Sequence, residues 1–277
     1  MSDYTPTNAP AQVTELMLAG MTGKSKLPVV KMFLLGILAG AFIAFGAEAS
    51  SLAAHNVTQV GIQRLIMGCV FPVGLIMVVL LGTELFTGNC MMIAAVADKR
   101  VKFAMLLRNW VVVYLGNLVG AALIVLLVSA TGQLGYSSNG LAVLTIKIAA
   151  AKTGLSFGAA FAGGILCNVL VCVAVLLAMA SKSIIGKIMG IWFPIMAFVL
   201  SGFEHSVANM YYIPAGIFAS MNPAYAAAAQ EAGVNMANLN ALGFLGNIVP
   251  VTLGNIVGGA AIALVMWFCF RRNKEQA

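Results

Sequence analysis

The stretch GFEHSVANM, residues 202–210, sets a carboxylate (Glu204), an imidazole (His205) and an amide (Asn209) within a few positions of one another. Groups of these types can pass a proton, exchange hydrogen bonds or hold a small charged solute. They lie inside one of the most apolar runs of the chain. There an ionisable group costs at least ~2.5–3.5 kcal/mol unless it is partnered or meets water. A second cluster, GTELFTGN at 82–89, adds Glu84, Thr87 and Asn89. The hydroxyl of Thr87 and the amides of Asn89 and Asn209 suit an anion or water, and nothing in either cluster resembles the carboxylate cage of a hard cation. The chain carries no H-E-x-x-H or phosphate-binding loop, and GLSFG at 154–158 matches G-x-S-x-G by spacing alone, at the head of an apolar run rather than after a strand. An intramembrane enzyme therefore has no motif to rest on, and neither cofactor nor metal is expected.

The elements that hold these residues follow from composition. Of 277 residues, 61% are hydrophobic and 8% charged, with a mean hydropathy of +1.00. A soluble domain carries roughly 25% charged residues, so the chain is read as an all-α integral membrane protein. About six apolar runs stand between polar breaks: 32–54, 65–96, 104–130, 154–180, 188–218 and 243–270. A span needs ~20 residues. The second and fifth runs are too long for one straight helix, and they contain both polar clusters. Such runs read as broken or re-entrant helices.

The net charge of +7 suggests nucleic acid until its distribution is considered. With the N-terminus inside, Lys24, Lys26, Lys31, Lys99, Arg100, Lys102, Arg108, Lys182, Lys187, Arg271, Arg272 and Lys274 fall on the cytoplasmic side. Only Arg64, Lys147 and Lys152 fall outside. This is a positive-inside pattern. It places both termini in the cytoplasm of a multi-pass protein of the cell (inner) membrane, and it makes the basic balance a matter of topology. Residues 1–27 are expected to be a cytoplasmic segment without a cleavable signal, 28–270 the six-span domain, and 271–277 a cytoplasmic tail. Cys69, Cys90, Cys167, Cys172 and Cys269 all fall in spans without a C-x-x-C, so they read as small core residues.

The two clusters share the pattern G-x-E-x-x-x-x-N, and the next spans share LGNLVGA (115–121) and LGNIVGG (253–259). The chain thus divides into repeat A, about 28–131, and repeat B, about 152–270. Three spans per half force the second half to enter the membrane from the opposite face, giving an inverted repeat. Gly36, Gly40, Gly116, Gly120, Gly254 and Gly258 recur four apart on single helix faces, where they allow close packing. Glu84 and Glu204 match in the repeat and read as scaffold, tying free backbone amides at each break. His205 has Leu85 at its repeat position, so scaffolding symmetry does not explain it, and it is the first candidate for solute handling. Lys152 opens the fourth span and reads either as a snorkelling lysine or as a functional cation. Asn222-Pro223-Ala224 resembles a water-channel motif, but it occurs once, in the polar 218–242 connection, and reads as a turn.

Longer stretches carry a resemblance. ELFTGN (84–89), RNWVVVYLGNLVGA (108–121), CNVLVCVAV (167–175), SGFEHSVANMYYIPAGI (201–217) and IVPVTLGNIVGG (248–259) are similar to the formate/nitrite transporter family, from about Pro28 to Phe270. The resemblance implies an aquaporin-like fold with helices two and five broken, assembled as a homopentamer whose protomers conduct separately. It implies a channel or transporter for small anions of weak acids. A bare anion crossing phenyl and leucyl side chains meets a large desolvation cost that its protonated acid avoids, so the expected passage depends on pH, with protons as partner. Formate leads, because GAFIAFGAEAS (40–50) and ELFTGN are most similar to formate-type members; nitrite and hydrosulfide follow, and a water or glycerol channel shares the architecture. By motif position His205 matches the family's pore histidine, Thr87 the threonine facing it, Lys152 the vestibule lysine, and Asn168 and Asn255 the pore-side asparagines. Phe71, Leu75, Phe86, Val171 and Phe198 match its hydrophobic constrictions. Glu84 stands where some members have Asp.

Overall fold

The structure is a computed structural model that describes residues 6–271. Arg272, Lys274 and all but the first residue of the expected tail lie outside the described residues. With no water to satisfy peptide groups in a bilayer, an apolar chain closes its hydrogen bonds within helices. Among the described residues there is no strand, only an isolated bridge between Thr7 and Ser181.

The first half runs α1 (Pro10–Ser25), α2 (Val29–Ala54), α3 (Val60–Val70), α4 (Val73–Leu80), α5 (Phe86–Asn89), α6 (Met92–Ala97) and α7 (Phe103–Ala130). After α8 (Tyr136–Thr153) the second half runs α9 (Phe157–Ala180), α10 (Ile184–Ser201), α11 (Ser206–Ser220), α12 (Pro223–Glu231) and α13 (Ala241–Phe270). Among the described residues, six stretches are long and apolar enough to cross a membrane, with α3 and α4 counted as one. The architecture is that of two inverted three-helix repeats. The second and fifth spans are interrupted at 81–85 and 202–205, so the expected broken helices are present. Pro72, which has no N–H to donate, adds the bend between α3 and α4. Each break opens on a glycine in the left-handed region, Gly82 at φ +67° and Gly202 at φ +72°. An L side chain would strain that backbone, which explains why glycine starts both motifs.

The spaced glycines set the helix contacts. A Cβ on Gly116 would stand 2.7 Å from the Phe33 carbonyl oxygen, and one on Gly164 would stand 2.7 Å from that of Val251. So α7 lies directly on α2, and α13 lies the same way on α9.

Three connections differ from their sequence reading. Residues 10–25, part of the segment expected to be cytoplasmic and given no element there, form α1, which buries Val13, Met17, Leu18 and Met21 against Met91, Met92 and Leu106. Its apolar residues recur at helical spacing among Gln, Thr and Gly, a stripe that mean polarity conceals. Asn222-Pro223-Ala224 is the start of α12 rather than a plain turn: the Asn222 side chain accepts from the Ala224 N–H and Pro223 takes the first helical position. Lys152, read as opening the fourth span, instead ends a separate helix, α8 (136–153), which packs on α11 through Leu141, Ile146 and Ala149.

Candidate functional site

Each broken helix is closed by an asparagine from the span that follows it. Asn117 accepts the Phe86 N–H at 2.9 Å and donates to the carbonyls of Gly36 at 2.8 Å and Glu84 at 2.9 Å. Asn255 repeats the set in the other half, accepting Ser206 N–H at 2.8 Å and donating to Gly164 and Glu204 carbonyls at 2.8 and 2.9 Å. One amide thus satisfies two backbone groups that the interrupted helix frees, an N–H and a carbonyl, each expensive to leave unpaired in an apolar surround. Its third bond ties the break to a carbonyl of the neighbouring continuous helix.

This corrects the task expected of Glu84 and Glu204. Neither carboxylate takes a free backbone amide. Glu84 pairs with Lys24 of α1 at 3.0 Å and accepts from Asn89 at 2.7 Å. Glu204 pairs with Lys152 at 2.8 Å and accepts from Asn209 at 2.7 Å and Asn247 at 3.2 Å. Asn89 donates on to Asn109, and Asn209 to Asn247, at 2.9 and 2.7 Å. The physical reason is charge: a buried carboxylate is best held by a cation with amide donors around it, whereas neutral amides suffice for neutral peptide groups. The lysine–glutamate–asparagine–asparagine chain recurs at both ends of the molecule.

His205 and Thr87 break that symmetry. His205 caps α11, its Nδ1 accepting the Ala208 N–H at 3.0 Å. The proton of a neutral ring then sits on Nε2, which stands 3.0 Å from Thr87 Oγ1, so the imidazole donates to the hydroxyl. Both side chains are buried, and they come from opposite repeats. The His205 ring lies against Phe198, with centroids 5.9 Å apart, and Phe198 meets Phe71 edge-on at 5.5 Å.

A cavity of about 330 Å³ leads to this point from the side opposite α1. Lys152, Glu204, Asn209 and Tyr212 line it, and His205, Phe71 and Phe198 stand at its inner end. Lys152 also lies 5.6 Å from the Tyr212 ring centroid. Of the five expected constriction residues, Phe71 and Phe198 line this cavity. Leu75, Phe86 and Val171 belong to the same buried apolar cluster outside it, Phe86 packed on Tyr114 and Trp110. Asn168, expected at the pore, gives both amide hydrogens to backbone carbonyls, of Thr87 at 3.1 Å and of Asn255 at 2.6 Å. It fixes the loop that carries Thr87.

A sequence profile described as Formate/nitrite transporter matches residues 11–269. The chain belongs to that family. A probable formate transporter from Methanothermobacter thermautotrophicus is 43% identical, over 96% of this chain and 98% of its own length. The formate channel FocA of Escherichia coli K12 is 36% identical, over 93% and 92%. Among solved structures, a pentameric formate channel with formate bound superposes with a TM-score of 0.77 at 35% identity, covering 87% of this chain and 96% of that one. An ion channel of the formate/nitrite transporter family gives 0.79 at 27%, covering 92% and 97%.

Within this formate/nitrite transporter, sequence reasoning missed Lys24, Asn109, Asn117 and Asn247. Asn117 had a signal, since LGNLVGA and LGNIVGG repeat the asparagine between the packing glycines. Lys24 had none, because its partner Glu84 is far along the chain. Ser206 was also missed: its hydroxyl is buried beside His205 with no partner among the described residues.

Proposed function

We propose that the chain conducts formate across the cell membrane, one pore per protomer of a homopentamer, with both termini cytoplasmic. Several features support this reading: the relatives and the solved channel just described, the basic cavity, and above all the His205–Thr87 pair behind the Phe71–Phe198 rings. An anion that enters the cavity meets Lys152 and then loses water among the phenyl rings. A bare anion there meets a large desolvation cost, whereas formic acid meets a small one, so passage couples to a proton and depends on pH.

His205 and Thr87 are the groups assigned to the crossing point. The Nε2–H and the Thr87 hydroxyl proton are the donors open to a carboxylate, because Nδ1 is occupied by the Ala208 N–H. In this reading His205 stabilises the solute through Nε2, and the accompanying proton comes from the aqueous cavity. Glu204 sets the approach of Lys152, while Asn89, Asn168, Asn209 and Asn255 position the breaks and contribute through them. Leu75, Phe86 and Val171 close the far side of the crossing point.

Competitive uptake of formate, nitrite and hydrosulfide into proteoliposomes tests the substrate. Formate is expected to be taken up fastest at mildly acidic pH. Preferred uptake of either other anion would replace formate within the same reading, and swelling with glycerol but no anion uptake would overturn it.

A further inference from the structure

The basic residues assigned by sequence to the outer face all converge on the cavity above His205: Arg64 from α3, and Lys147 and Lys152 from α8. By motif position Lys152 matches the family's vestibule lysine. Its charge is already compensated, since Glu204 stands 2.8 Å from it, and both side chains are largely buried. At the distance of an approaching solute such a pair presents a dipole rather than a charge.

Arg64 and Lys147 are different. Both are exposed, and neither has an acidic partner among the described residues. Glu204 is the only acid among the residues that line the cavity, and it is engaged by Lys152. The cavity therefore keeps two uncompensated positive charges at its rim. Arg64 is also held in place. Its guanidinium lies over the break glycine, so close that a Cβ on Gly202 would come 2.9 Å from Nη1. There it faces the C-terminal end of α10, where a cation is favoured by the helix dipole. The repeat register that pairs Gly82 with Gly202 pairs Arg64 with Ile184, an apolar residue 67% exposed. A charge present in one half only is not demanded by the scaffold.

We propose that Arg64 and Lys147, rather than Lys152, supply the field that draws small anions into this vestibule. The inference rests on the anion-conducting reading above. Field steering acts on rate at sub-saturating solute and is screened by salt, with a Debye length of ~30 Å at ~0.01 M and ~3 Å at ~1 M. A residue acting by contact or packing is far less sensitive to salt.

The test measures tracer formate influx into right-side-out vesicles, which present the vestibule to the bath, at ~0.01 M and ~1 M ionic strength. R64Q/K147Q is expected to lose about four-fold at low salt and to come within about 1.5-fold of the parent at high salt. R64K/K147R, which keeps both charges, is expected to match the parent at both. K152Q is expected to lose flux by the same factor at both salts. Should the double variant aggregate, K147Q alone is expected to show about half the effect at low salt. A parent that conducts formate while R64Q/K147Q shows no loss, or an equal loss at both salts, overturns this inference. A parent that conducts no anion overturns the reading beneath it instead.

Discussion

Glu84 and Glu204 are each held by a lysine and by the asparagine five residues on, although they lie in opposite halves of the chain, and Glu204 accepts a further bond from Asn247. Their lysines have different origins: Lys24 comes from the helix before the first span, Lys152 from the connection between the halves. The inverted repeat thus reproduces a charge arrangement as well as a backbone, which leaves the unmatched His205–Thr87 pair as the point where the halves specialise.

Breaking one of these pairs is expected to cost more than removing it. Lys152→Met strands the buried Glu204 carboxylate, a loss of about 3–5 kcal/mol. Adding Glu204→Gln is expected to recover much of it. Thermal unfolding in detergent compares the two, and a double variant no more stable than the single one would contradict the pairing.

The asparagine clamps give a matched prediction. Asn117→Ala and Asn255→Ala each leave one N–H and one carbonyl of the break unpaired, at about 1–3 kcal/mol per buried group. Both variants are expected to lose at least about 2 kcal/mol and to be similarly destabilised. A mild effect in one half only would show that the clamps are not equivalent.

Thr87→Val keeps shape while removing the hydroxyl that accepts from His205 Nε2. The loop stays anchored, because Asn168 holds the Thr87 carbonyl. Formate influx is expected to fall about ten-fold or more, consistent with ~1–3 kcal/mol for the lost partner, and Thr87→Ser to restore most of it. Influx unaffected by Thr87→Val would remove Thr87 from the crossing point.

At the α1 end, the bidentate Arg100 guanidinium, 2.6 and 2.8 Å from the two oxygens, holds the Glu15 carboxyl below its usual range. A lowered carboxylate contributes stability that is present above its unfolded value, ~4.3, and is lost as pH falls through the folded one. Glu15 is 61% exposed, so the effect is small, within ~1 kcal/mol. Hydrogen exchange along α1 is expected to be flat from neutral pH down to about 5, once corrected for intrinsic rates, and to quicken only in stronger acid. Quickening between pH 6 and 8 would assign the α1 contact to another group.

How much of this was legible in the sequence depends on the kind of residue. Broken spans declare themselves, because Gly82 and Gly202 precede acids in apolar runs and lipid tolerates such residues only at a break. His205 was legible through what it lacks, a repeat counterpart. The partners of Glu84 and Glu204 were not. Buried charge demands compensation, but sequence does not say whether backbone or lysine supplies it when the lysine is 52 or more positions away. Helix α1 was hidden by its mean polarity, since packing needs a stripe rather than a high average.

The most direct measurement is formate influx into proteoliposomes across pH 5–8 for the parent, His205→Phe and His205→Asn. His205→Asn retains a side-chain N–H donor, whereas the phenyl ring retains the apolar stack on Phe198 without one. The expected result is that His205→Phe loses most of the influx together with its pH profile, while His205→Asn keeps a measurable part. Influx and pH profile unchanged in His205→Phe would contradict a crossing-point role for His205.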